Sequence, residues 1–586
     1  MRNISRSCLF RKAPKLALCA LLCLCALLLT GCGREDETVI TVYSDTQTAV
    51  DTSQQVPAAV TAAPTPIPTI NPDSDDDIAW GLAGMESAPP DPMTQPADLF
   101  IGYVARSNNA FGPYECTERD LVSLNQLMFE SVVELDAEQK PVPLLADRWV
   151  TETDEKGNVI WTFELREGIK FHNGAILSSQ DVIDSYTAIV AAGAGNPYAD
   201  QVSLIKRMEY VSPTMFRVYA KNPGIITLYG MTFPVIQSGT LYTATPRGTG
   251  PYWLIAYEPG NYMRLESNPL WWKRPGTVKT IMAKNYANTA SALLALNSGD
   301  IDMLASRSYA ASQTRNLSDM LAMDYTTGTY EMLVPNLSSA SLLSDLEVRM
   351  AIMYAIDRTG VQTNGYLSML QSSEVPVIPG TWLYETQSAK YYHSPERALQ
   401  TLYDDGWGDS NGDGILDRVR DGLLQELAIT IITYSEDSVA ARINAARKIA
   451  EDLSVIGIRV EVLDGDRENI VKAIRAGDFD MALIGVNLST VPDPTAIVDS
   501  EGSLNISKYV NMDMDMLCDG IFTAEDETSL KAVFSDIQMK IVNELPIMGI
   551  GFHTGAVISR QSLNGLSGIR EYDVWNGLET MLTAVQ

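Results

Sequence analysis

Beyond about residue 97 the chain breaks into short stretches whose apolar positions follow one of two periods. In DLFIGYVARS the alternation of Leu99, Ile101 and Tyr103 predicts a strand. In WTFELREGIKF, Trp161, Phe163 and Leu165 point one way and Thr162, Glu164 and Arg166 the other, which predicts a half-buried strand. The period lengthens over residues 438–456, where Val439, Ile443, Ala446, Ile449, Leu453 and Ile456 fall on one helical face before Gly457 ends it. That helix lies between the strands LAITIITY and IRVEVL. A shorter helix, RENIVKAIRAG, then leads to a third strand, FDMALIGV. The resulting βαβαβ pattern predicts an open parallel sheet, and ligands of such sheets sit beyond the carboxyl ends of the strands. This places NLSTVPDP, residues 487–494, at a candidate site.

The start of the chain has a different pattern. Arg2, Arg6, Arg11, Lys12 and Lys15 lead into an apolar run over 16–29, shorter than the ~20 residues of a spanning helix. Residues 1–31 are therefore expected to be a signal peptide. The following LTGCG resembles a lipobox, with Cys32 as the lipidated residue. Residues 32–96 are rich in Pro, Thr and Asp and poor in large apolar side chains, so they are expected to form a disordered tether.

Composition narrows the function. The 586-residue chain carries a formal net charge of -30, which repels phosphate backbones and disfavours a nucleic-acid partner. Of 7 cysteines only Cys116 and Cys518 lie beyond the leader and the lipobox Cys32; without a disulfide framework both are expected to be free and buried. His172, His393 and His553 are scattered, which gives a zinc or nickel cluster little material. No Gly-x-Ser-x-Gly, His-Glu-x-x-His or phosphate-binding glycine loop occurs, so no catalytic residue, cofactor or enzyme activity is expected.

Several stretches, in order from about residue 100 to 586, resemble the large solute-binding proteins of ABC importers. This is the bacterial extracellular family 5 that takes oligopeptides, dipeptides and nickel. They include LNQLMFESVVELD, PVPLLADRWV, WTFELREGIKFHNG, GTGPYWLIAYEPG, ALLALNSGDID, VRMAIMYAIDR and SPERALQTLYDDGW. The resemblance implies an α/β fold, a two-lobed periplasmic-binding-protein-like clamp of the large peptide-binding type. Domain I would comprise 97–130, 246–335 and 546–586, with an extra subdomain inserted at 131–245, and domain II would be 336–545. The lobes would be joined near 330–336 and near Pro546. His172 in KFHNG, and Arg349 and Asp357 in VRMAIMYAIDR, are then structural.

The function it implies is capture of a small solute, most readily a peptide, by a monomer held at the outer face of a membrane through lipid on Cys32. Delivery to a permease and ATPase would follow. The alternatives are a peptide-sensing or partner-recruiting lipoprotein without a transport role, or a binder of a non-peptide solute. In peptide-binding relatives an aspartate four residues before the proline of the Asp-Pro motif pairs with the peptide amine; here that position is Thr490, and the aromatic three residues earlier is Asn487. Asp493 either faces the ligand or shapes its loop. Trp382 and Tyr384 in IPGTWLYE would cap a ligand or fill a core, and Asn109 and Tyr330 are candidates by position in the fold.

One further motif, GWGDSNGDGILDR, arranges Asp409, Asn411, Asp413 and Asp417 around Gly414 like the front of a calcium loop. Counting ~12 positions from Asp409, where such a loop closes with glutamate, gives Arg420. The motif is therefore expected to be an Asp- and Gly-rich turn leading to a strand. A weak calcium site at Asp409, Asn411 and Asp413 is the alternative.

Overall fold

The structure, a computed structural model, describes residues 92–105, 111–420, 422–435, 439–560 and 562–581. The expected signal peptide, Cys32, most of the expected tether and Asn109 lie outside the described residues.

An 11-stranded sheet organises the chain. Its strands include β1 (Leu99–Val104), β2 (Tyr252–Glu258), β3 (Tyr262–Ser267), β4 (Thr280–Tyr286), β5 (Met303–Ser306), β6 (Leu321–Pro335), β7 (Ala428–Tyr434), β8 (Arg459–Gly465), β9 (Met481–Asn487) and β10 (Met548–Ser559). They lie in the order β8-β7-β9-β6-β10-β5-β1-β4-β3-β2, and a short strand, Leu370–Ser372, pairs with β10.

The central pair, β6 and β10, is long, with 15 and 12 residues. Residues 321–326 of β6 face 554–559 of β10, whose far end also pairs with β5. Residues 329–335 of β6 pair with β9 on their other edge, while 330–333 remain paired with 548–552 of β10. Each strand therefore belongs to both halves of the sheet, one built on β1–β5 and the other on β7–β9. Between Thr326 and Tyr330 the β6:β10 register slips, leaving a bulge of Thr327, Gly328 and Thr329.

The slip falls at 326–330 and 552–554, close to the expected lobe junctions near 330–336 and Pro546. The apolar run from Tyr330 to Pro335 is only half of its strand. The polar TTGT half carries no periodic signal of its own.

The βαβαβ unit forms as expected, with β8, β7 and β9 parallel. Its first helix, α1 (Ala441–Val455), buries Ala446, Ile449 and Leu453 completely. It starts later than position 438 because Ala440 adopts φ 54, a left-handed conformation that a helix does not continue. Its second helix, α2 (Arg467–Ala476), stops at Gly477, φ 78. The inserted region carries a separate four-stranded antiparallel sheet. In it Trp161, Phe163 and Leu165 are buried as their alternation predicts, and Phe163 stacks on Phe216 at 5.3 Å.

Glycine is required where GTGPYW passes the segment ahead of this insertion. A Cβ at Gly248 would lie 2.0 Å from the Met128 carbonyl oxygen. Beside it His172 Nδ1 accepts the Gly248 N–H at 3.3 Å, and burial pulls the imidazole pKa down to about 4. Cys116 and Cys518 are both buried and unpaired. Arg349 is buried and donates to the carbonyls of Leu343 and Glu544, each at 2.7 Å, a structural role.

Candidate functional site

The carboxyl ends of β1 and β5 and the loop after β9 open toward the chain segment 570–579, which forms the wall of two adjoining cavities. The smaller spans about 400 Å³, much of it open solvent, at the ends of β1 and β5 among Tyr103, Arg119, Ser306, Arg307 and Glu571. The larger spans about 1060 Å³, part of it open solvent, and reaches from Glu134, Gln201 and Lys273 to Thr490. Thr490 is the residue that the β7–β9 half contributes to its lining.

Glu571 links the cavities to the strand bulge. Its carboxylate receives Arg307 at 2.8 Å and Arg119 at 3.1 Å, and accepts the backbone N–H of Gly328. The Gly328 carbonyl in turn accepts the N–H of Leu488 at 2.8 Å. A Cβ at Gly328 would lie 2.7 Å from the Leu488 oxygen, so this approach of β6 to the loop after β9 needs glycine.

A second charged group lies behind the bulge. Glu331 is fully buried and takes both Nε and a terminal nitrogen of Arg442, each at 2.8 Å. It also accepts His553 Nε2 at 2.8 Å and the Tyr366 hydroxyl at 3.0 Å. Tyr309, from the β1–β5 half, completes the chain at 3.3 Å from His553 Nδ1. Burial alone would raise the Glu331 pKa, but the Arg442 charge and these hydrogen bonds overcome it and hold the carboxyl far below the usual range. Glu331 and His553 come from the two crossing strands and Arg442 from α1, so the network ties both crossings to the β7–β9 half.

The profile described as bacterial extracellular solute-binding proteins, family 5 Middle, matches residues 140–506. The chain belongs to this family. Among family 5 relatives, the oligopeptide-binding protein AppA of Bacillus subtilis is 23% identical over 511 residues, covering 82% of this chain and 91% of that protein. The nickel-binding periplasmic protein of Escherichia coli is 21% identical over 511 residues, covering 82% and 93%. The solved structure of a nickel ABC transporter protein from Bacillus halodurans aligns with a TM-score of 0.70 at 20% identity, covering 83% of this chain and 98% of that one. The fold is thus the two-lobed α/β clamp that the resemblance implied.

Within this family 5 frame the expected site residues separate. Thr490 is exposed and lines the large cavity. Asn487, exposed at the end of β9, accepts the Thr329 hydroxyl at 2.7 Å and so holds the bulge. Asp493 accepts the Thr495 N–H at 2.9 Å and its hydroxyl at 2.6 Å, which are loop-shaping bonds. Tyr330 is fully buried, 4.7 Å from Phe552, with its hydroxyl donating to the Ser373 carbonyl at 3.4 Å. It is therefore a core residue, because its side chain falls on the buried face of β6.

Trp382 is half-buried; its indole N–H donates to the Tyr229 hydroxyl and its backbone N–H to the Glu138 carbonyl, both at 2.9 Å, fastening this loop to the inserted region. Tyr384 packs half-buried against the same core. Arg119, Arg307, Glu134 and Glu571 went unread in the sequence. The available signals were an arginine directly after a strand in ASRSY and the charged and aromatic IREYDVWNG, which has no period.

The aspartates of the loop at 409–417 turn inward. Asp409 accepts the N–H groups of Gly412, Asp413 and Gly414 at 2.7, 3.1 and 3.0 Å, Asn411 accepts that of Asp413 at 2.9 Å, and Asp413 accepts that of Ile415 at 2.9 Å. These bonds are turn chemistry. A hairpin, Asp417–Arg420 with Leu423–Glu426, unexpected from the sequence, follows before β7. A nearby trio, Asp345, Glu347 and Asp405, contains two carboxylates answered by Arg418.

Proposed function

We propose that the chain is the solute-capturing component of an ABC importer, closing two lobes over a peptide-class solute and presenting it to a permease. The carrying observation is the large cavity, walled mainly by one lobe and its insertion and reached from the other by Thr490. Two continuous strands connect the lobes, and bending at their bulge is the motion that would close the cleft. Domain I is taken as 97–130, 246–335 and 546–586, around an insertion at 131–245, and domain II as 336–545.

Relatives named for oligopeptide and di- or tripeptide binding support the solute class. Neither cavity is lined by histidine or cysteine among the described residues, so a bare transition-metal ion finds no soft ligands there. Among the described residues no helix is long and apolar enough to cross a membrane. Attachment at the outer face is assigned to lipid on Cys32, with two acyl chains sufficing for stable anchoring. The protein acts as a monomer without cofactor or catalysis.

The test is mass spectrometry of small molecules released when natively purified protein is denatured, followed by thermal melting with each candidate. Bound peptide raises the Tm by mass action. Empty preparations, together with no melting shift from any peptide, would sink the reading.

A further inference from the structure

Among the described residues, two acids lining the large cavity lack a hydrogen bond or ion pair to another side chain: Glu579 and, in the inserted region, Glu134. It sits on a short strand, Val133–Leu135, whose pairing with Pro141–Pro143 fixes its position, and it is half-buried in the cavity wall. Among the described residues its carboxylate has neither a hydrogen bond nor an ion pair. Glu130, nearby, is fully answered by Thr249 at 2.7 Å, Trp271 at 3.1 Å and Trp272 at 2.9 Å.

The cations closest in effect to Glu134 are held elsewhere. Arg570 pairs with Asp573 at 2.6 Å, and Lys273 lies 5.1 Å above the Trp272 ring. Burial therefore raises the Glu134 pKa; Lys273, Arg570 and Arg166 oppose the rise through space and Asp573 adds to it. A second acceptor is idle in the same cavity: Gln201 is buried and its Oε1 has no partner. The Gln201 carbonyl, desolvated and without a donor, costs stability until a donor arrives, and the half-buried Glu134 carboxylate has no protein donor.

We propose that Glu134, assisted by Gln201 Oε1, binds the cationic group of the solute, an ammonium such as a peptide amino terminus or a basic side chain. This assignment rests on the solute-capture reading and gives it a polarity. The cation enters the lobe that carries the insertion, and from the opposite lobe the described lining offers the neutral hydroxyl of Thr490.

The experiment titrates the purified full chain with a mixture of tripeptides bearing free amino termini, with the same mixture N-acetylated, and with agmatine as a cation lacking a carboxylate. Wild type is expected to bind an amine-bearing probe. Glu134→Gln should bind it about ten- to hundredfold more weakly, the value of a hydrogen bond to a charged group. Its unliganded Tm should be equal or higher, which separates lost binding from lost folding, and Glu134→Asp should fall between.

Wild-type affinity in Glu134→Gln overturns the assignment. Binding of the acetylated mixture alone also overturns it while leaving solute capture intact. No binding of any probe, with nothing released from native protein, removes both.

Discussion

Two carboxylates of this molecule are shifted in opposite directions. Glu331, at the strand crossing, meets Arg442 in a two-point pair together with His553 and Tyr366, and its pKa is driven far down. Glu134, half-buried in the cavity wall, meets no hydrogen-bond donor among the described residues, and burial drives its pKa up. The same side chain is a structural tie where its partners are built in and a vacancy for charge where they are not. Burial alone does not mark a binding group; burial without an answering donor does.

The largest effect should come from breaking the answered pair. Arg442→Met leaves Glu331 charged and buried, and a loss of about 3–5 kcal/mol is expected in denaturant unfolding. Arg442→Met combined with Glu331→Leu should recover most of it, because no charge is then stranded. If the double variant is as unstable as the single one, the pair does not act as the tie described here.

Acid should reveal the opposite signs. Glu331 has a lowered folded-state pKa, so its contribution is complete above the ordinary value of 4.5 and is lost as pH falls from there toward its folded value. Glu134 has a raised pKa, so its ionisation costs stability once pH rises above 4.5, and the cost is relieved on acidification. Comparing melting profiles of wild type and Glu134→Gln should show the variant gaining at pH 7 and the gain vanishing toward pH 4. A variant less stable than wild type at pH 7 would mean that Glu134 has a structural partner.

Intermediate between these extremes is Glu571, which keeps one arginine if the other is removed. Arg307→Ala is expected to cost about 1–2 kcal/mol, less than Arg442→Met, since Arg119 and Gly328 still answer the carboxylate. The smallest effect is reserved for the exposed loop. Asp409→Ala removes the acceptor of three backbone amides and should lower the Tm slightly, equally with and without calcium. A calcium-dependent melting shift that Asp413→Ala abolishes would show instead that the loop holds an ion.

What was legible in the sequence followed from local periodicity. Trp161, Phe163 and Leu165, and the face carrying Ala446, Ile449 and Leu453, are buried as their spacing predicts, because a strand or helix presents its apolar face to the core whatever surrounds it. Thr490 reached the cavity because a loop after a parallel strand has nowhere else to lie.

Tyr330 was misread for the reason that Glu134 was missed. A position in the fold does not say which face of a strand meets solvent, and a glutamate two residues from Asp136 in VELD looks like any surface acid. Pattern along the chain thus determined the elements, the parallel βαβαβ unit and the family.

Tertiary structure decided which charges are answered. The partners of Glu331 come from positions 366, 442 and 553, and those of Glu571 from 119, 307 and 328. Electrostatic compensation acts through space between residues far apart in sequence, so no local period encodes it.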